Sequence, residues 1–474
     1  MPNNYERLTS LDASFLALET RTTHMHVAGV SIFDAKNLHQ KDGGLDIDRI
    51  RAFINSRLQY VPRYRQRIAW VPLERAPIWV DDEHFNIDFH VRHTSLPKPG
   101  TDEQLKKMAG RILSQQLDRA KPLWEMWIIE GLEGDRMAMV TKIHHCMVDG
   151  VASTGIMGAL LNVVPTSEIE ESAGWAPTPP PNGVEIMAGE LNRRLKQNAS
   201  RMADARMALA DTQAYAFNAA RKARASWYSL TSGWLSPAPI TPLNGQIGPN
   251  RRYDWVEIGL DRIKSVRKDV GGTVNDIVLA TMAGAIRSLF LNHPEVEDLD
   301  MEFRVLAPVS VRTGKASELG NQVAMWLVPL PLADPDPLSR LSSIKIKTEH
   351  LKNTEQALGA STLVSASSGA PHQLVSLGAR LATGVRPFNM TVTNVPGPQF
   401  PMYLLDAELL HQYPVVPLWH GHGVGVALFS YNGQVAWGIN ADWDIVPDTA
   451  AFGQAILDSF EELTDAAKQE AAIS

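Results

Sequence analysis

The stretch Lys142-Ile143-His144-His145-Cys146-Met147-Val148-Asp149-Gly150 decides how the rest of the chain is interpreted. Upstream of it, residues 137–143 alternate along an extended segment, which is the period-2 pattern of a strand. Downstream, residues 151–164 are apolar and rich in Ala, Leu and Met, which predicts a buried helix. The two histidines are therefore expected where a strand ends, and Asp149 is expected where a helix begins.

Each residue type in this stretch has both a structural and a functional interpretation. An Asp at a helix start is an ordinary N-cap that contributes about 1 kcal/mol, and Gly150 fits an ordinary turn. A histidine at a strand end is often a hydrogen-bonded core residue. The combination of these types at one element boundary favours the functional interpretation, in which His145 is a general base and Asp149 holds its loop in shape.

The composition is that of a globular protein with room for two or three domains. The chain has 474 residues, and its net charge is −7, so no global field attracts nucleic acid. Cys146 is the single cysteine, which excludes an intramolecular disulfide and fits a reducing compartment. The N-terminus has no signal-peptide pattern, and no apolar run approaches the length of about 18 residues that a spanning helix needs. We therefore expect a cytoplasmic protein.

The chain divides into an N-terminal lobe at residues 1–165, a linker at 166–250 and a C-terminal lobe at 251–474. Both lobes mix helical and strand patterns, which predicts an α/β (α+β) architecture. The predicted helices are 8–16, 46–60, 102–116, 261–270, 275–290 (capped by Thr273), 338–354, 372–383 and 448–467, and the predicted strands are 26–33, 85–93, 252–260, 302–311, 322–332, 389–393, 423–430 and 434–440.

The linker combines a Pro-rich connector at 177–181 with a basic helical stretch at 184–228. Arginines and lysines outnumber acids there, and Leu191 and Leu195 belong to an apolar stripe at helical spacing. Two interpretations fit this pattern. A basic amphipathic helix can lie on an anionic membrane or lipid surface, and a lobe-bridging helix with a solvated face has the same composition.

A second basic pattern precedes it in the chain. Arg63, Arg65 and Arg67 alternate with Tyr64, Gln66 and Ile68. This alternation fits a solvated edge, and it also fits a site for the anionic tail of a substrate.

The chemistry that suits the central stretch is acyl transfer to a hydroxyl. A neutral imidazole is the natural base for an alcohol near neutral pH. A metal site formed by His145 and Asp149 is disfavoured by Gly150 and by the lack of an evident third ligand. Strand alternation would point Cys146 away from His145, which disfavours a cysteine nucleophile. The sequence contains no Gly-x-Ser-x-Gly elbow, P-loop or dinucleotide fingerprint.

At this point a family resemblance becomes visible. His144-His145-Cys146-Met147-Val148-Asp149-Gly150 resembles the HHxxxDG motif of the CoA-dependent acyltransferases, which include chloramphenicol acetyltransferase, carnitine acyltransferases and peptide-synthetase condensation domains. Further segments in order, from about residue 8 to 450, are similar to the bacterial wax ester synthase/diacylglycerol acyltransferase family. These segments are Leu11-Asp12-Ala13-Ser14-Phe15-Leu16, Pro122-Leu123-Trp124-Glu125, Asn275-Asp276-Ile277-Val278-Leu279-Ala280, Pro308-Val309-Ser310-Val311-Arg312 with Gly320-Asn321, Asn394-Val395-Pro396-Gly397-Pro398 and Ser430-Tyr431-Asn432-Gly433.

The resemblance implies a two-lobed, chloramphenicol-acetyltransferase-like fold with an active-site tunnel between the lobes. Long-chain acyl-CoA and a diacylglycerol or fatty alcohol would enter from opposite ends. His145 would deprotonate the hydroxyl, and the alkoxide would attack the thioester without a covalent acyl-enzyme. The product would be triacylglycerol or wax ester. The resemblance implies no cofactor beyond the acyl-CoA substrate and no metal.

The resemblance also suggests roles for residues outside the histidine pair. Asp149 would be structural, paired with an arginine such as Arg312. Asn275 and Thr393 would support the oxyanion, although Asn275 also fits a helix cap and Thr393 also fits plain strand pairing. The family usually has Ser where Thr393 stands, and Cys146 replaces a smaller residue. The predicted site therefore consists of His144, His145, Asp149 and Gly150, with support from Asn275, Ser310, Arg312 and Thr393.

Three alternatives remain beside this interpretation. A related acyltransferase could use a carrier-bound acyl group or a polyketide-type alcohol. The glycerol-phosphate acyltransferases also have His-x4-Asp, but they belong to another fold. A non-catalytic protein could coat lipid granules through the basic helix, where a preserved base would be unnecessary. The predicted location is the cytoplasm. If the basic helix contacts lipid, the protein would lie on the surface of the inner membrane or of lipid droplets.

Overall fold

The computed structural model describes residues 5–41, 43–147, 157–171, 174–210, 236–291, 293–310, 323–353 and 385–473. Two six-stranded mixed sheets and one three-stranded sheet form its frame. The strands are β1 (Glu6–Arg7), β2 (His26–Asp34), β3 (Gln66–Trp70), β4 (Pro77–Asp81), β5 (Val91–Ser95), β6 (Trp124–Leu132), β7 (Arg136–His144), β8 (Arg251–Gly259), β9 (Phe303–Ser310), β10 (Val323–Leu330), β11 (Met390–Pro396), β12 (Tyr403–Leu404), β13 (Ala407–Val415), β14 (Val424–Tyr431) and β15 (Gln434–Asp442).

The first sheet has the order β12-β13-β2-β7-β6-β5 and is covered on both faces. Alternate side chains of β2 and β7 point to opposite faces. One face packs on the apolar side of α4, and the other packs on α2. The helices of the chain are α1 (Ser10–Leu18), α2 (Ile47–Arg57), α3 (Ile87–His90), α4 (Asp102–Leu113), α5 (Gly183–Ala210), α6 (Leu260–Val270), α7 (Val274–Leu291), α8 (Pro337–Asn353) and α9 (Thr449–Ile473).

The second sheet has the order β10-β9-β11-β14-β15-β8 and carries helices α6 to α9 on one core. Thr273 caps α7, because its side-chain oxygen accepts from the backbone N–H of Asp276 at 3.2 Å. Helix α7 is long and apolar enough to cross a membrane, contrary to the expectation from the sequence, but 67% of it is buried. Its composition is therefore that of a core helix.

Strand β13 joins the two halves of the chain. It follows β11 in sequence, yet it pairs antiparallel with β2 of the first sheet, with Val415 opposite Ala28. It also crosses the second sheet, where a Cβ added at Gly438 would lie 1.8 Å from the carbonyl oxygen of Pro414. Only glycine permits this close approach. The predicted division at residue 250 stays a prediction, and the first sheet takes two of its strands from residues beyond it.

Most predicted elements are confirmed to within a few residues, but one predicted strand is wrong, one predicted helix is confirmed only in part, and five strands were not predicted. Residues 85–93 are not one strand, because Asn86 accepts from the N–H of Asp88 at 2.9 Å and starts the short helix α3. Of the helix predicted at 151–164, residues 151–156 lie outside the described residues, residues 157–160 are helical, and residues 161–164 are not, with Val164 62% exposed. Strands β1, β3, β4, β12 and β13 were not predicted. The predicted helix at 372–383 lies outside the described residues.

Helix α5 packs one side against the three-stranded sheet. Ile186 is buried among side chains of β3, β4 and the turn between them. Glu190 pairs with Arg7 at 2.9 Å, and Tyr5 contacts the same helix. The opposite side is apolar and exposed. This exposed stripe consists of Val184, Met187, Leu191 and Leu195.

Candidate active site

Strand β7 ends at His144, and residues His145–Met147 form one turn of 3-10 helix. The backbone N–H of His144 donates to Leu123 at 2.9 Å, and that of His145 donates to Met25 at 2.7 Å. The N–H of Cys146 donates back to the Nδ1 atom of His144 at 3.1 Å. The first histidine of the pair therefore shapes the turn that carries the second.

A buried carboxylate holds His144 from the other side. Glu19, whose side chain is 1% exposed, follows α1 and lies 3.6 Å from Nε2 of His144 and 3.1 Å from Nε2 of His26. The pKa of Glu19 is lowered, since the nearby imidazoles of His144 and His26 outweigh the opposite effect of burial. Arg119 donates to the same carboxylate at 2.7 Å and to the carbonyl of Leu16 at 2.9 Å. Glu19 thus anchors the end of β7 to helix α1.

The ring of His145 stacks on Phe15 of α1, with 3.9 Å between the ring centroids and 22° between the planes. Its Nδ1 atom is buried and has no hydrogen-bond partner of good geometry in the described part of the chain. Burial lowers the pKa of His145 to about 4, and its own backbone acts in the opposite direction. The ring is therefore neutral at neutral pH, as a general base requires.

Cys146 does not have the properties of a nucleophile. Its thiol is buried, and burial raises its pKa well above the usual range, so the reactive thiolate is disfavoured. The strand alternation used to orient it from sequence does not apply, because the strand ends at His144. Among the described residues, no group of three or more His, Cys, Asp or Glu is arranged to hold a metal.

The second half of the chain reaches this site through the segment before β14. Trp419 lies against Phe15, with 6.5 Å between the ring centroids. Val395 packs on the cluster that contains Cys146 and Met147. Thr393 lies two residues before Val395 on the same face of β11. The role predicted for Thr393 stays a prediction.

The remaining predicted residues are less closely connected to the histidine pair. Asn275 does not cap α7, since Thr273 does, and no contact given for the described residues joins Asn275 to the turn. Ser310 ends β9 opposite Val323. Asp149, Gly150 and Arg312 lie outside the described residues. Their predicted roles and the predicted tunnel stay predictions.

Two residues of the site, Phe15 and Glu19, were not predicted from the sequence. Phe15 was visible only as part of a family-like segment, and Glu19 lies just beyond that segment. Neither residue type signals a site at that spacing. Their proximity to the histidine pair arises only when α1 packs beside β7.

Family models cover most of the chain. The model for the wax ester synthase/diacylglycerol acyltransferase catalytic domain matches residues 8–278. The model for the WS/DGAT C-terminal domain matches residues 319–464.

Two relatives and two solved structures agree with these matches. The probable diacylglycerol O-acyltransferase tgs1 of Mycobacterium tuberculosis (strain CDC 1551 / Oshkosh) is 30% identical over 98% of this chain and 96% of its own length. The probable diacylglycerol O-acyltransferase tgs2 of strain H37Rv is 30% identical, covering 90% and 92%. The wax ester synthase/diacylglycerol acyltransferase from Marinobacter aquaeolei VT8 has a TM-score of 0.65 at 26% identity, covering 98% of this chain and 100% of that one.

The second structure shows the fold alone. The starter condensation domain of rhizomide synthetase RzmA, in complex with C8-CoA and Leu-SNAC, has a TM-score of 0.58 at 12% identity, covering 98% of this chain and 95% of that one. It supports the two-lobed architecture expected from the HHxxxDG motif. By its sequence and its architecture, the chain belongs to the wax ester synthase/diacylglycerol acyltransferase family.

Proposed function

We propose that this protein transfers a long-chain acyl group from acyl-CoA to the hydroxyl of diacylglycerol or a long-chain alcohol. The products are triacylglycerol or wax ester, together with free CoA. Family membership supports the reaction class. The observation that carries the mechanism is the neutral ring of His145, held by Phe15 at a turn that residues from both halves of the chain surround.

In the proposed mechanism, His145 acts as the general base. With its proton on Nδ1, beside its own carbonyl, the ring presents the lone pair of Nε2 to the alcohol. Nε2 takes the hydroxyl proton, and the alkoxide oxygen attacks the thioester carbonyl. The C–S bond then breaks, and the imidazolium returns the proton to the CoA thiolate. Base catalysis by a positioned side chain contributes roughly 10²–10⁴-fold.

The oxyanion formed in this step requires a donor. We assign this role to the Thr393 hydroxyl, because Thr393 shares a face of β11 with Val395, which packs on the same large apolar cluster as Cys146 and Met147. Asn275 and Ser310 remain secondary candidates. Asp149, with Gly150 beside it, is proposed to keep the turn in shape through an ion pair with Arg312.

The test uses the full chain with labelled palmitoyl-CoA and either dioleoylglycerol or hexadecanol. We expect labelled neutral lipid and free CoA in equal amounts from at least one acceptor. A His145→Ala variant should remain folded and lose 10²–10⁴-fold in kcat. If neither acceptor yields ester, the proposed reaction is wrong; if only a carrier-bound acyl donor supports ester formation, the related acyltransferase is the correct assignment.

We also propose a peripheral location, on the inner membrane or lipid-droplet surface facing the cytoplasm. The supporting feature is the exposed stripe Val184, Met187, Leu191 and Leu195. The exposed Leu73 belongs to the turn beside the start of this helix, where Gly183 approaches Pro72. Apolar side chains on one helix face are suited to the headgroup boundary of a membrane.

The arginines are a weaker argument for this contact than the sequence suggested. Arg193 pairs with Glu190 at 2.8 Å, and Arg194 pairs with Glu74 at 3.1 Å. These charges are partly neutralised within the protein. The proposed membrane contact therefore depends chiefly on the apolar stripe. Residues 211–228 of the predicted helix lie outside the described residues.

A further inference from the structure

Trp419, from the second half of the chain, lies beside the ring that supports His145. The centroid of its indole is 6.5 Å from that of Phe15, and the centroid of Phe15 is 3.9 Å from that of His145. Together these distances limit the separation of Trp419 and His145 to about 10 Å. The indole is only partly buried, and the proposed mechanism assigns it no role. An accessible aromatic surface therefore lies within reach of a substrate bound at His145.

The segment that carries Trp419 is held on the second sheet by His422, which is 3% exposed. The Nε2 atom of His422 lies 2.8 Å from the carbonyl oxygen of Phe388, and its Nδ1 atom lies 2.9 Å from that of His420. The backbone N–H of His422 donates to the carbonyl of Trp419 at 3.1 Å. The ring of Phe388 stacks on His422 and meets the indole edge-on at 6.3 Å. The position of the indole is thus fixed by the fold.

The indole packs on a small apolar cluster that is separate from the main core of the second half. Leu306 and Leu327 lie opposite each other on β9 and β10, and both belong to this cluster with Phe388. Met325 and Trp419 pack against it and are only partly buried. A partly exposed apolar surface near the base suits the hydrocarbon chain of a lipid substrate.

The cluster lies on the face of the second sheet that is turned to the first half of the chain. Leu306 pairs with Thr391 of β11, so the two side chains point to the same face. Thr393 and Val395 follow on that face. Val395 packs on the apolar cluster that contains Cys146. The apolar cluster beneath Trp419 and the proposed oxyanion donor Thr393 therefore share one face.

We propose that Trp419 is a specificity-determining residue that contacts the acceptor alcohol on the carbons next to its hydroxyl. This inference rests on the proposed function. A general base must lie about 2.6–3.2 Å from the hydroxyl whose proton it takes. The carbons that follow this hydroxyl are therefore held next to His145, and the pair of Phe15 and Trp419 is the aromatic surface beside them.

The indole limits the bulk that the acceptor carries on its second carbon. Because Trp419 packs between Phe15 and Phe388, it cannot move aside for a branch without losing these contacts. An unbranched alcohol has only hydrogens on this carbon and packs along the indole. A branched alcohol carries a substituent there, and so does a diacylglycerol whose hydroxyl is on a terminal carbon. Trp419 thus favours unbranched acceptors.

The test compares two alcohols with the same number of carbons, hexadecanol and its branched isomer 2-hexyldecanol, with palmitoyl-CoA as donor. In Trp419→Ala, the kcat/KM of the branched alcohol relative to hexadecanol should rise at least about tenfold, the lower end of the discrimination that a small alkyl difference provides in an apolar pocket. Trp419→Phe keeps an aromatic ring and should shift this ratio in the same direction by a smaller factor. The ratio does not depend on the folded fraction, so a merely structural role would leave it unchanged.

Trp443→Ala is the matched control, because Trp443 is 46% exposed in the turn after β15 and its ring contacts Arg252. Its ratio should equal that of the unaltered protein. A second measurement omits the donor and follows, by NMR titration, the binding of octanol and its branched isomer 2-ethylhexanol. The ratio of their dissociation constants should shift in favour of the branched isomer in Trp419→Ala.

The proposal is wrong if Trp419→Ala leaves the ratio of hexadecanol to 2-hexyldecanol unchanged. It is equally wrong if the variant alters only the relative use of hexanoyl-CoA and palmitoyl-CoA, because the indole then contacts the acyl chain. If the unaltered protein forms no ester from any alcohol, the proposed function is wrong, and the binding ratio of the two shorter alcohols alone decides the role of Trp419.

Discussion

His144 and His145 are adjacent in sequence, but their environments are opposite. His144 accepts from Cys146 at Nδ1 and faces Glu19 at Nε2, so both nitrogens are directed at the protein. His145 is supported by ring stacking on Phe15. Stacking fixes the ring plane without a hydrogen bond to Nε2. His144 therefore positions the turn, and His145 is the residue available for proton transfer.

At this scale we predict that Glu19→Gln lowers kcat by about 10²-fold, since a misplacement of about 1 Å can have that effect. Glutamine keeps the size of the side chain but loses the charge that holds Arg119 and faces His144. The KM for acyl-CoA should change little, because Glu19 is buried behind the turn. Steady-state kinetics of the purified variant measure both quantities.

Arg119→Lys is the companion variant, since it keeps a cation near Glu19 and should retain much of the activity. A purely structural role would lower the melting temperature of Glu19→Gln while leaving kcat per folded molecule unchanged. That result would contradict the positioning role.

A second residue-level prediction concerns pH. Because burial lowers the pKa of His145 to about 4, the base remains neutral well below the usual range of histidine. The kcat/KM should stay nearly constant between about pH 5.5 and 8 and fall only toward pH 4. Kinetics at each pH, with circular dichroism to confirm folding, provide the measurement. A tenfold loss per pH unit starting near 6.5 would show that the ring is not desolvated in this way.

The sequence predicted the proposed base of the site, but it did not predict the residues that hold this base in position. His145 was identifiable because its residue type and its position at a strand end carry chemical meaning. Glu19 and Phe15 could not be identified, since an acid or an aromatic near the N-terminus has many ordinary roles. Their function depends on the packing of α1, which no local pattern encodes.

At the scale of elements, helix α1 and the residue that follows it contact both His144 and His145. Phe15 lies within the helix, and the N–H of Glu19 donates to the carbonyl of Phe15 at its end. The side chain of Phe15 reaches His145, and that of Glu19 reaches His144. A displacement of this helix would therefore move both rings together.

The exposed stripe on α5 supports a prediction at this scale. Leu191 and Leu195 are each 61% exposed, so serine at both positions should change stability little. Burying a leucine contributes about 1.5–3 kcal/mol, and losing two from a membrane contact should weaken vesicle binding at least tenfold. Sedimentation with anionic vesicles measures the bound fraction.

Leu291→Ser at the end of α7 is the matched control, because Leu291 is 58% exposed and lies on a different helix. Its vesicle binding should equal that of the unaltered protein. Equal binding by the Leu191/Leu195 double variant would rule out the stripe as the contact.

Errors in the predicted elements have identifiable physical causes. Residues 85–93 looked like one strand because apolar and polar residues alternate, but the Asn86 side chain competes for backbone N–H groups and starts a helix. Strands β3 and β4 were not recognised in the sequence, because the arginines around them obscure the strand pattern. Long helices such as α7 and α9 were found, since their periodicity persists over many residues.

On the scale of the whole molecule, buried histidines should limit stability in acid. Burial lowers the pKa of His26 to about 3 and those of His145 and His422 to about 4. Between pH 6.5 and these values the unfolded chain binds more protons than the folded one, so stability falls as pH falls. Each histidine contributes up to about 1.4 kcal/mol per pH unit within this window.

Urea unfolding at pH 7.5, 6.5, 5.5 and 5.0 tests this prediction. The free energy of unfolding should be level above pH 7 and decline steeply below 6.5. A variant that replaces His422 with Asn should show a shallower decline. A free energy that stays constant down to pH 5 would mean that these histidines are protonated in the folded state.

Strand β13 also has a consequence for building hybrids of this enzyme with its relatives. Because residues 407–415 complete the sheet that carries His144, the halves on either side of residue 250 are not interchangeable modules. A chimera joined at that point would pair a foreign β13 with β2, and its register would have to match from Phe33 to Ala28. Exchanges intended to alter acceptor choice should therefore move β2 and β13 together.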